Sequence, residues 1–192
     1  MQFDLLRAFP YPVLRPNIDD YIDGDIQATV TLEQRPDSLD VRAEIQFAVS
    51  VPEITELVTE GSALYSVVFA CRDTYFRQAI TSSAAKFVHD FPSGMLRGEV
   101  LIYPYVVAAK PINSFVCPWI NPEFGTGPFT FPEGSVLALD QPWAIYIDRE
   151  AFKPISSIFV LLSNENLTGY EWRIDANSEK VRIEVTPALK ER

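Results

Sequence analysis

The chain has 192 residues, 47% hydrophobic and 22% charged, and 26 acidic against 16 basic side chains give it a net charge of −10. A single domain of this length buries roughly 70% of the surface its unfolded chain exposes, so it needs no disulfide or metal to hold together. The charge argues against direct nucleic-acid binding. The basic residues are scattered, and their closest grouping, Arg173, Lys180 and Arg182, is interleaved with Glu171, Asp175, Glu179 and Glu184.

Residues 1–18 predict an extended arm rich in proline and aromatic residues: Phe9, Pro10, Tyr11, Pro12 and Pro16. Each proline lacks an N–H and biases the residue before it toward extended backbone, so a helix is not expected here. The opening stretch has no apolar core of the export-signal kind, and no run of about 18 apolar residues occurs. The expectation is a cytoplasmic protein that meets no membrane, with the glycosylation match at Asn166-Leu167-Thr168 accidental. Residues 19–192 are expected to form one β-domain.

From 26 to 33, Ile26, Ala28, Val30 and Leu32 alternate with Gln27, Thr29, Thr31 and Glu33. From 39 to 51, Leu39, Val41, Ala43, Ile45, Phe47, Val49 and Val51 share one face, and Asp40, Arg42, Glu44, Gln46 and Ser50 the other, with Ala48 the exception. Period-2 alternation of this length marks half-buried strands, and Arg35-Pro36-Asp37-Ser38 supplies the turn of an antiparallel hairpin. The period then changes. Ile54, Leu57 and Val58 fall at helical spacing, Pro52 suits a first helical position, Glu53 and Glu56 suit the N-terminal end, and Gly61 suits the C-terminal cap.

Three runs, 63–71, 100–109 and 155–162, are apolar on both faces and rich in Val, Ile, Phe and Tyr, which predicts central strands. Residues 136–139 and 143–147 read as two more strands, joined through Asp140-Gln141-Pro142. Residues 74–86 fit either a helix face or a continuing strand. At the end of the chain, Tyr170, Trp172 and Ile174 alternate with Glu171, Arg173 and Asp175, and Val181, Ile183 and Val185 with Lys180, Arg182 and Glu184. That pattern predicts a hairpin turning at 176–179, its charged face outward and opposite charges paired across the strands. The whole predicts an antiparallel β-sandwich or partly closed barrel of about seven to nine strands with one or two short helices.

Chemistry is harder to find. Asp19, Asp20, Asp23 and Asp25 surround Gly24 as in a calcium loop, but Tyr21 stands at the third ligand position and Val30 where the bidentate Glu belongs. The simpler reading is a solvated turn. His89 is the single histidine and has no recognisable nucleophile setting beside it, so it reads as structural. Cys71 and Cys117 sit among apolar residues and read as buried thiols; with no Cys-x-x-Cys and no second histidine, no metal site is expected. Neither phosphate-binding glycine pattern occurs, so no nucleotide cofactor is expected.

What stands out is Tyr103–Pro132, with six prolines and seven aromatics. Between Cys117 and Gly134 no strand or helix pattern appears, and structureless connections longer than about 12–15 residues tend to carry function. Aromatic side chains supply large contact area at low entropy cost. Phe9, Tyr11, Phe115, Trp119, Phe124, Phe129 and Phe131 are therefore the candidate partner-binding residues, with a lid over the open end of the sandwich as the competing role. The function expected is a non-catalytic interaction subunit that docks on another protein or on copies of itself. A carbohydrate or small-ligand module stacking on Trp119 or Trp143, and a hydrolase using acidic residues, are the alternatives.

Overall fold

The computed structural model describes residues 8–35, 38, 40–125, 127–147, 159–164, 167–175 and 181–187. Among these the chain is mainly β, with one α-helix and a single 3-10 turn. It forms two compact units, Met1–Ile147 and Asp148–Arg192.

The first unit is a sandwich. β1 (Ile26–Gln34) and β2 (Val41–Val49) pair antiparallel with Ile26 opposite Val49 and Leu32 opposite Ala43, so the two apolar faces coincide as the alternation requires. Ala43, Ile45 and Phe47 are buried, whereas Glu44, Gln46 and Ala48 are exposed. Residues 36 and 37 of the expected turn and Leu39 of the expected strand lie outside the described residues. α1 (Pro52–Thr59) follows with proline in its first turn and buries Ile54 and Val58. Gly61 ends it at φ 71°, in the left-handed region where glycine is favoured, and Ser62 N–H donates to the Leu57 carbonyl.

β3 (Ala63–Cys71) and β4 (Phe76–Ser82) form a second hairpin, whose pairing makes 76–82 of the 74–86 segment a strand, with Ile80 buried and Phe76 half-buried. β5 (Lys86–Phe91) then leaves that sheet and pairs with β2. β6 (Gly98–Ala108) pairs with β3 along its whole length. β7 (Ile112–Phe115) and β8 (Phe129–Phe131) make a short ribbon, with the 3-10 turn Pro122–Phe124 between them. β9 (Val136–Leu139) and β10 (Trp143–Ile147) pair one after the other with the free side of β6.

The sheet orders are β1-β2-β5 and β10-β6-β3-β4, with β9 also on β6. As expected, β3 and β6 are central and doubly apolar. A proline in the middle of a central strand normally costs a ladder bond. Pro104 sits where the chain crosses from β9 to β10, and its carbonyl accepts from Asp140 N–H at 3.3 Å. The donor that Pro104 lacks is thus missing at the break between two strands.

Stacked and edge-on rings join the layers: Phe47 with Tyr65 at 4.9 Å, Phe91 with Phe69 at 4.8 Å and with Phe76 at 5.8 Å. The far face of the five-stranded sheet is covered by the arm, where Val13 packs with Tyr103, Tyr105, Val136 and Leu139. Leu14 extends beside β9, donating to the Leu137 carbonyl at 3.0 Å and accepting from Leu139 N–H at 2.9 Å. Residues 1–7 of the arm lie outside the described residues.

The second unit holds β11 (Phe159–Ser163), β12 (Trp172–Asp175) and β13 (Val181–Val185) in the order β11-β13-β12. β12 and β13 pair antiparallel with Arg173 opposite Glu184 and Asp175 opposite Arg182, the opposite-charge register the sequence predicts. Two expectations need correction. The 155–162 run, of which 155–158 lie outside the described residues, gives an edge strand among the described residues, where β11 pairs with β13 alone and does so in parallel. The apolar face of β12 is also not buried: Trp172 is 64% exposed and Ile174 51%. The turn at 176–179 and Asn166 lie outside the described residues. Among the described residues the strands outnumber the expected seven to nine because the 74–91 stretch gives two, β4 and β5, and the proline-rich segment gives two short ones, β7 and β8. Among the described residues no sheet closes into a barrel.

Candidate functional site

Burial divides the seven aromatic candidates. Phe131 is wholly buried and Phe115 nearly so; their rings meet edge to face at 5.5 Å, and Tyr11 closes on Phe131 at 5.1 Å. Phe129 packs half-buried against the same core, and Phe9 lies beside Tyr11 on the far face of the sheet. These five are buried or half-buried, whereas Trp119 is 40% exposed and Phe124 37%. Trp143 is half-buried against the main core.

Trp119 is held by a clasp between two loops. Tyr21 bridges Ile120 in antiparallel fashion, and Ile22 N–H donates to the Trp119 carbonyl at 2.8 Å. Neighbouring residues of an extended pair point to opposite faces. Tyr21 and Ile120 accordingly go inward, while Ile22, 61% exposed, comes out beside Trp119. Asn121 ties the loops together: its N–H donates to the Asp20 carbonyl, its side-chain amide donates to the Asp19 carbonyl at 2.8 Å, and its side-chain oxygen caps Glu123 N–H at 3.1 Å. That cap starts the turn presenting Phe124. Val116, on the same segment, is also exposed.

Beneath this surface the acidic cluster splits. Asp19, Asp23 and Asp25 are exposed, as a solvated turn predicts, but Asp20 is buried. One of its carboxylate oxygens accepts from Val13 N–H at 3.0 Å and faces the Arg15 guanidinium at 3.3 Å. Arg15 in turn stacks over the Phe9 ring at 5.4 Å. Burial pushes the Tyr21 hydroxyl well above its ordinary value, with the Cys117 thiol and the Asp20 and Glu53 carboxylates adding to the effect. Burial likewise pushes the Cys117 thiol up to about 11; the Trp119 and Ile120 N–H groups oppose the shift and the Glu53 carboxylate adds to it. A thiol so protonated at neutral pH is a poor nucleophile.

His89 sits in β5 with its ring edge-on to Phe91 at 4.6 Å, a packing role. Among the described residues no three His, Cys, Asp or Glu side chains group to hold a metal ion. No helix among them is long and apolar enough to cross a membrane.

Sequence reasoning missed Ile22 and Val116. The available signal at Ile22 was an unneeded large apolar residue set among aspartates. No protein-family model, curated protein or solved structure matches the chain.

Proposed function

We propose that the protein is a non-catalytic interaction subunit, docking a protein partner through the surface formed by Ile22, Trp119 and Phe124. The observation that carries this reading is the clasp itself. Hydrogen bonds and a backbone bridge hold two large apolar side chains outward, so little freedom is lost when a partner covers them. A tryptophan at the centre of such a surface is the residue type most often dominant in binding energy.

The rim gives the partner's chemistry. Asp19, Asp23, Asp25 and Glu123 are exposed around these loops, and residues 16–34 and 111–133 contain no lysine or arginine. An apolar anchor flanked by lysine or arginine is complementary to it, and the encounter weakens with salt. Two free buried thiols, Cys71 and Cys117, fit the reducing cytoplasm.

Selecting a displayed peptide library on the purified chain tests this reading. The expected binders carry basic residues beside an aromatic or aliphatic anchor. Trp119→Ala lowers their affinity by at least thirtyfold, the size of a hot-spot loss of about 2 kcal/mol. Binders without basic residues, or binders indifferent to Trp119→Ala and Ile22→Asp, contradict it.

A further inference from the structure

Among the described residues, the sheet of the second unit leaves one strand edge unpaired. We propose that β12 pairs antiparallel with β12 of a second copy of this chain, about a two-fold axis at Ile174, joining two three-stranded sheets into one. The inference is independent of the Ile22–Trp119 surface.

Three observations converge on it. First, among the described residues β12 is paired only with β13, so one side of residues 172–175 faces no described strand. Second, this edge is apolar on one face, with Trp172 64% and Ile174 51% exposed and Tyr170, just before the strand, 79% exposed. Natural sheet edges are blunted by short strands, charge (lysine above all), proline or a bulge. β12 is short and carries Arg173 and Asp175, but it has no lysine or proline and its register with β13 runs without a bulge.

Third, the edge is self-complementary in charge, which selects a second copy as the occupant. With Ile174 opposite the partner's Ile174, Arg173 falls opposite the partner's Asp175, and Asp175 opposite the partner's Arg173. Adding the register within each sheet, the row across the junction alternates in sign: Glu184, Arg173, the partner's Asp175, the partner's Arg182. The apolar row reads Ile183, Ile174, the partner's Ile174, the partner's Ile183. A register centred on Arg173 or on Asp175 sets like charges face to face, and a one-residue slip puts charged residues against the apolar face. Two-fold pairing also closes, so assembly stops at two copies.

The test uses the full chain. Sedimentation at tens of micromolar should give twice the 21.7 kDa of one chain. Ile174→Lys places two ammonium groups opposite each other and should return the mass to one chain. Because Ile174 is half exposed, its thermal midpoint should stay within a few degrees of the parent protein. Ile174→Cys should oxidise to a linked dimer, since directly opposed residues of an antiparallel pair have Cα atoms about 4.5–5.5 Å apart, within disulfide reach. Trp172→Cys should not, being about four residues out of register with its counterpart. A single-chain mass at every concentration, an Ile174→Lys dimer, or equal linkage through Trp172→Cys overturns the proposal.

Discussion

Asp20→Ala should lower the stability of the first unit by about 3–5 kcal/mol, the range for removing one partner of a buried ion pair. The Asp20 carboxylate is the acceptor for Val13 N–H and the counter-charge to Arg15, whose side chain is 6% exposed. Alanine takes both away. The guanidinium stays in place without this carboxylate, and a buried N–H loses its acceptor, which by itself costs about 1–3 kcal/mol. Asp20→Asn keeps an oxygen for Val13 and removes only the charge, so its loss should be smaller. Urea unfolding measures both. A midpoint for Asp20→Ala equivalent to less than about 1 kcal/mol would show that the pair does not anchor the arm.

Phe131→Ala should cost about 3–5 kcal/mol, as large buried aromatics do when truncated. Its ring is wholly buried, with Tyr11 and Phe115 packed edge to face against it. Trp119→Ala, on the same proline-rich segment, should cost clearly less than Phe131→Ala, because 40% of Trp119 is exposed whereas Phe131 is wholly buried. Equal losses at the two positions would mean that the whole segment is lid, and the contact reading would lose its physical basis.

The sheets were legible where alternation was long. The 26–51 hairpin, the short helix and the doubly apolar strands β3 and β6 follow from period and proline placement alone. The second unit was less legible. A half-apolar strand such as β12 reads the same whether its apolar face meets the chain's own core or stays open, and periodicity carries no information on which. The parallel pairing of β11 with β13 depends on long-range placement and leaves no local signal. Within the proline-rich segment, composition singled out the stretch without separating Phe131 from Trp119. Their separation is made by hydrogen bonds from Asn121 to residues 19 and 20, about a hundred positions away in sequence. The acidic turn was read correctly at Asp19, Asp23 and Asp25. Asp20 differs because the arm folds back over it, and that is a tertiary event.

The most direct test of the contact surface is a photo-crosslinking amino acid placed at position 119, at position 22 and, as a control, at Tyr75, which is 97% exposed but lies on the turn between β3 and β4. Irradiation in the native host should give discrete adducts from 22 and 119 and none from 75. Mass spectrometry should place the attached segment beside lysine or arginine, and raising the salt during irradiation of an extract should weaken the yield. Adducts from all three positions alike, or from none, would contradict the account.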